Sequence, residues 1–196
     1  MRTSAILVAA IAAAAAFAGM CHPAQSLTFI PPPKTTVSGT CQAAHEADSR
    51  VNATFCTTRL RKEPRAIDAD TAGLAEAATA VGFRNAEAAR SKVGTALRRR
   101  DEGDEQVLDP IYGSRLERCD VLYGVICEKY AVAREAITEQ RYGDVERELS
   151  SVPLLGHMCD SGIARARRAG PSPFLQYSED NTQITLLTLA ITSLIK

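Results

Sequence analysis

Several things are missing from this chain, and each absence narrows what it does. There are only three histidines, His22, His45 and His157, and none has a partner at metal-ligand spacing. No CxxC, HxxxH or glycine-rich phosphate loop occurs, so no metal, redox or nucleotide cofactor is implied. The 23 basic and 23 acidic residues cancel, and no long basic stripe marks a nucleic-acid partner. No internal repeat is visible, and carboxylates on helix faces usually only solvate or form weak pairs. Nothing in this inventory builds a catalytic centre.

The N-terminus is built for export. Arg2 precedes an apolar run from Ala5 to Ala18, too short and too alanine-rich for a good membrane span. Residues 1–26 read as a signal peptide, cleaved after Ala18 or after Ser26. A proline-rich lead-in with Pro31-Pro32-Pro33 occupies residues 27–35. No membrane anchor is expected, and the protein is secreted or lumenal. Disulfides persist there, and the sequon Asn52-Ala53-Thr54 becomes a glycosylation acceptor.

The mature chain, roughly 170 residues, is enough for one domain with a core. Asp68 and Asp70 are N-cap candidates before an alanine-rich helix to Leu97 that keeps Leu74, Ala78, Val81, Ala88 and Ala89 on one side. The charged run Arg98 to Glu105 reads as a solvated loop because its signs cancel locally. Leu116, Cys119, Tyr123, Ile126, Tyr130, Ala133 and Ile137 then alternate by three and four, the seam of a bundle helix. A break follows over Gln140 to Asp144, with Gly143 suited to a left-handed position and Asp144 to an N-cap. Val145, Leu149, Val152 and Leu155 begin the next helix, in which Pro153 marks a kink or fresh start. Ile184, Leu187, Ile191 and Leu194, widened by Leu186, Leu189 and Ile195, make a buried last helix. A cleavable lipid-anchor tail after Gly170 and Ser172 is the competing reading, disfavoured by the helical spacing and terminal Lys196.

Four cysteines frame these helices as two structural disulfides. Cys119 and Cys159 are centred on residue 139, close to the turn, so a bond between them staples the open end of a helical hairpin. Cys41 and Cys56 would lie about 22 Å apart in one straight helix, so their bond demands a reversal near Asp48 to Asn52. That makes the N-terminal segment a stapled hairpin, separate from the bundle. Cys127 is left over: it is a free thiol filling interhelix space, an intermolecular bridge, or a partner for Cys21 if cleavage falls after Ala18. His157, two residues before Cys159, reads as a surface or packing residue.

Phe55-Cys56 with Leu60 and Pro64, Asp68-Ala69-Asp70 before Gly73-Leu74-Ala75, Leu122-Tyr123 after Cys119, Tyr142, Leu149-Ser150-Ser151 before Cys159, and Leu187 to Ile191 together form a pattern. The chain resembles the plant invertase and pectin methylesterase inhibitor family over residues 36–195. The resemblance implies an all-α fold, an up-down four-helix bundle (67–196) preceded by a disulfide-stapled helical hairpin (36–66). It implies a non-catalytic protein of the apoplast or cell wall. Its partner would be a pectin methylesterase or, alternatively, an acid invertase, occluded one-to-one at the active-site cleft.

The turn sequence Arg141-Tyr142-Gly143-Asp144-Val145 replaces the Pro-Lys-Phe motif of the invertase branch, which favours the esterase. The length of the first disulfide loop instead matches pollen proteins of the invertase type. Arg141, Tyr142 and Asp144 are the target-contact candidates, with Tyr142 either an aromatic anchor or a cap on the bundle end. Arg165, Arg167 and Arg168 form a second cluster able to meet an acidic partner or pectin. Carboxylates at the interface would make binding depend on pH. A secreted helical signalling or structural protein with no enzyme target is the remaining alternative, against which the short Gln140 turn argues.

Overall fold

A computed structural model describes residues 36–102, 109–166 and 170–195. The expected signal peptide and lead-in, with Cys21 and His22, lie outside the described residues. All regular structure among the described residues is helical. The elements are α1 (Val37–Ala47), α2 (Ala53–Leu60), a 3-10 turn (Pro64–Ala66), α3 (Thr71–Asp101), α4 (Pro110–Thr138), α5 (Tyr142–Leu149), α6 (Val152–Ala166) and α7 (Leu175–Ser193).

Helix starts follow the capping residues. Thr36 accepts from the Gly39 amide at 3.1 Å, Asn52 from Phe55 at 2.9 Å, Asp70 from Gly73 at 2.8 Å and Asp109 from Ile111 at 2.8 Å. Of the two aspartates proposed for α3, Asp70 is therefore the cap. The helix also runs through the charged stretch as far as Asp101, so residues 98–101 are not loop. Arginine is a good helix former, and an exposed run of it continues a helix as readily as it ends one.

Four limbs form the bundle: α3, α4, the pair α5–α6, and α7. The helix α3 packs on α4 and α7, and α6 packs on α4 and α7, so the ring closes. All seven seam residues of α4 are buried, as are Ile184, Leu187 and Ile191 of α7. That burial places α7 in the core, and no described helix is long and apolar enough to cross a membrane. Pro153 sits in the first turn of α6, where its missing N–H breaks no intrahelical bond; it marks a fresh start.

The α4–α5 turn differs from expectation in one respect. Gln140, not Gly143, takes the left-handed conformation, with φ 59°. The Arg141 amide donates to Ala136 O at 2.8 Å and the Gln140 amide to Ile137 O at 3.0 Å, the paired bonds of a Schellman ending. Gly143 lies inside α5, and Asp144 sits in its first turn rather than at its cap.

The N-terminal hairpin is stapled by Cys41–Cys56, with Cα atoms 5.7 Å apart. It is not separate from the bundle. Gln183 of α7 accepts from the Asn52 amide at 3.1 Å and donates to Arg50 O at 3.3 Å. Arg59 of α2 pairs with Asp180 of α7, and buried Glu63 pairs with Arg84 of α3. Hydrophobic spacing hides such ties because they join polar and charged groups far apart in sequence.

Where α3, α4 and α7 meet, Tyr130 is fully buried. Its hydroxyl donates to Asn181 O at 3.2 Å and lies 3.1 Å from Thr185 Oγ1. Asn85 donates to Asn181 Oδ1 at 3.0 Å and to Tyr177 O at 3.1 Å. The ring of Tyr130 has room because residue 82 is glycine: a Cβ there would stand 2.3 Å from the ring.

Two substitutions test this account. Helix propensity alone makes Gly82→Ala stabilising by about 1 kcal/mol. The contact with Tyr130 reverses the sign, and we expect a loss of about 1–3 kcal/mol in thermal or urea unfolding. Gln140→Gly relieves a left-handed non-glycine residue and should gain roughly 1 kcal/mol. A gain from the first substitution or a loss from the second contradicts the packing or the turn geometry, respectively.

Candidate functional site

Two of the three histidines, His45 and His157, lie among the described residues. A ring N–H of His45 donates to Val51 O at 2.8 Å, which fastens the hairpin turn, and His157 is exposed on α6. No group of three metal-ligating side chains gathers among the described residues. Cys127 is a free, buried thiol, and burial pushes its pKa up, with the Glu87 charge adding to the shift. A buried neutral thiol is a poor nucleophile, so the structure favours its space-filling reading.

The α4–α5 turn gathers the sequence-predicted contact residues and orders them. Arg141 donates to Glu139 Oε2 at 2.7 Å and also pairs with Asp144. Arg147 donates to the other oxygen of Asp144 at 2.8 Å. Asp144 thus lies between two guanidinium groups, Arg147 and Arg141, whose hydrogen bonds hold its carboxyl below the usual range. The same contacts, led by Glu139, raise the Arg141 pKa. The result is an exposed charged loop end whose side chains are already placed.

Tyr142 does not project freely. It is half-buried against the core and lines a groove of 410 Å³ between the start of α5, the α1–α2 turn and the last turns of α7. Its companions there include Asp48, Arg50, Leu186 and Leu189. Asp48 and Arg50 form a 2.7 Å ion pair, and the Arg50 hydrogen bonds lower the Asp48 pKa to about 2. Leu186 and Leu189, expected in the core, are only partly buried and form an apolar strip along this groove. Sequence reasoning missed the strip because a widened apolar face on α7 reads as deeper burial. A clue was available, since Leu186 and Leu189 fall outside the three-four series of Ile184, Leu187 and Ile191.

A larger groove of 590 Å³ runs between α3 and α4, lined by Phe83, Tyr130 and the arginines Arg65, Arg84 and Arg134. Of the second arginine cluster, Arg165 is exposed on the last turn of α6, while Arg167 and Arg168 lie outside the described residues.

The described residues thus form a doubly stapled helical bundle with an ionic turn beside an aromatic and leucine-lined groove. The comparisons specify it further. The model of the family described as plant invertase/pectin methylesterase inhibitor matches residues 35–191, and the chain belongs to that family. It is therefore a member of a family of inhibitors rather than an enzyme. It is 33% identical to a protein of Oryza sativa subsp. japonica named "Pectinesterase inhibitor 8", over 80% of this chain and 81% of that one. "Pectinesterase inhibitor 12" of the same organism is 28% identical, over 82% of this chain and 74% of its own. "Putative invertase inhibitor" of Platanus orientalis is 24% identical, over 81% and 89%.

The electrostatics of the turn lead to a pH prediction. A carboxylate with a lowered pKa keeps its ion pairs from neutral pH down through the ordinary carboxylate range, losing them only as pH falls through its own lowered value. The Asp144 carboxyl, followed by NMR, should titrate below 3.8, and Arg147→Ala should move its midpoint up towards that value. A midpoint at or above 3.8 in the unaltered protein contradicts the geometry. By the same reasoning, Asp144 keeps its charge from neutral down through mildly acidic pH.

Proposed function

We propose that this chain is a secreted inhibitor of a cell-wall pectin methylesterase, covering the enzyme's active-site cleft one-to-one with the bundle end that carries the α4–α5 turn. The observation that carries the choice of target is the naming of the two rice relatives as pectinesterase inhibitors, at 33% and 28% identity. The turn sequence Arg141 to Val145 agrees with it. An acid invertase is the second reading, favoured by the Platanus relative at 24% identity.

The geometry explains how a small bundle would do this. Arg141, Asp144 and Arg147 are paired with one another, which lowers part of the side-chain entropy lost on docking. Tyr142 contributes as one wall of the groove beside Leu186 and Leu189, with its ring already packed. Arg141 is the better anchor because it is exposed and charged, and an arginine in a desolvated contact is a common hot spot.

Secretion, removal of residues 1–26 or 1–18, apoplastic residence and glycosylation at Asn52 belong to the same proposal. Asn52 is exposed and uses its side-chain oxygen to cap α2, and a glycan on the amide nitrogen leaves that oxygen free to accept.

The test is a titration of the oxidised mature protein into a plant pectin methylesterase, with an acid invertase in parallel. We expect stoichiometric loss of esterase activity and untouched invertase. Arg141→Ala should weaken esterase inhibition by about tenfold or more while the unfolding temperature stays put. Invertase blocked with esterase active reverses the choice of target, and neither enzyme responding to folded protein removes the proposal.

A further inference from the structure

At the end of the bundle remote from the α4–α5 turn, three arginines separated in sequence meet. Arg115 and Arg118, in the second and third turns of α4, and Arg165, in the last turn of α6, line a notch of 140 Å³ over the Cys119–Cys159 disulfide. That bond holds α4 and α6 with Cα atoms 4.9 Å apart, close enough for side chains of one helix to lie on the other. Arg115 does so: a Cβ at Gly162 would stand 3.7 Å from Arg115 Cδ, and glycine at that position leaves the space open.

The notch is electrostatically one-sided. Among the described residues, no acidic side chain lines it and none of the three arginines has an ion-pair partner. The other long-range pairs behave differently: Arg59, Arg84 and Arg90 each meet a carboxylate on another segment. Three guanidinium groups gather around one opening and repel one another, with no carboxylate among the described residues of its lining to offset them. They raise the local concentration of anions. Guanidinium groups match carboxylates in a two-point hydrogen-bond geometry that ammonium groups lack.

We infer that this notch is a binding site for a polyuronate, a chain of carboxylate-bearing sugars. The inference rests on the proposed target, whose reaction converts uronate methyl esters to free carboxylates. A space of 140 Å³ admits one carboxylate and the edge of the ring carrying it, while the neighbouring arginines meet the next negative charges along a slender chain. The protruding face of a folded partner does not enter so narrow an opening. Arg118 and the end of α4 are separated by roughly 30 Å of helix, so polymer and enzyme occupy opposite ends without competing. Bound in this way, the inhibitor is retained on stretches of polymer the esterase has already acted upon.

The experiment compares binding of the oxidised mature protein to immobilised polygalacturonate, to its fully methyl-esterified form and to polyglutamate. We expect polygalacturonate to bind at least about tenfold more tightly than either, and salt to weaken it. The triple variant Arg115→Gln, Arg118→Gln, Arg165→Gln should lose about tenfold or more of that affinity while still inhibiting the esterase. Should the variant fold poorly, amide shifts at Ser161 and Gly162 on adding trigalacturonate to unaltered protein give the same answer. Equal binding of the esterified polymer, equal binding of polyglutamate, an unaffected triple variant, or shifts absent from those amides each overturns the inference. Polygalacturonate binding without esterase inhibition supports the notch and removes only the choice of target.

Discussion

The bond between Cys119 and Cys159 is the constraint on which both ends of the molecule depend. It joins the early turns of α4 to the middle of α6, and the chain between them makes the α4–α5 turn. Closing a loop with a sequence separation of 40 residues is worth about 4 kcal/mol in the chain-entropy account, against about 3 kcal/mol for the Cys41–Cys56 loop. The bond's position matters as much as its strength. With the open end fixed, the two limbs cannot splay, and a turn of three residues, Glu139 to Arg141, is held in one place at the far end. The arginine notch sits on the staple itself. A single covalent link therefore organises a charged turn at one end and a cationic opening at the other.

The rest of the bundle makes those limbs rigid. Tyr130 reaches across a gap left by Gly82 and ends its hydroxyl on the backbone of α7, which ties three limbs through one buried side chain. Burial raises the pKa of that phenol well above its ordinary value, so it stays a neutral donor. Asn85 and Asn181 extend the node, and Glu63 with Arg84 and Asp180 with Arg59 carry it outward to the hairpin. The hairpin is thus a brace on α3 and α7 rather than an appendage.

Much of this was legible in the sequence, and the reasons for the failures are physical. The α4 seam could be read because a helix buried along one stripe must repeat apolar residues every three or four positions. The disulfide logic held because cysteine reach is short and helix rise is fixed. Charge balance in Arg98 to Glu105 said only that the segment is solvated, and a solvated segment is as content in a helix as in a loop. Glycine preference pointed to Gly143 for the left-handed residue, yet the helix ended where its apolar seam ended, and Gln140 had to take the position. The arginine notch left no local trace, since its members are brought together by a bond between two other residues.

Inhibition by occlusion rewards a scaffold that does not change shape, because every side chain ordered on docking subtracts from affinity. Recognition of a flexible polyanion makes a different demand. There the polymer bears the ordering cost, and the protein needs only fixed positive charges at one edge. A bundle stapled at one end satisfies both conditions with the same bond. The staple removes limb motion from the turn proposed to meet an enzyme. It also fixes the backbones that carry Arg115, Arg118 and Arg165 beside one another. The charge cluster therefore owes its geometry to the covalent link beneath it together with the buried packing of α4 against α6.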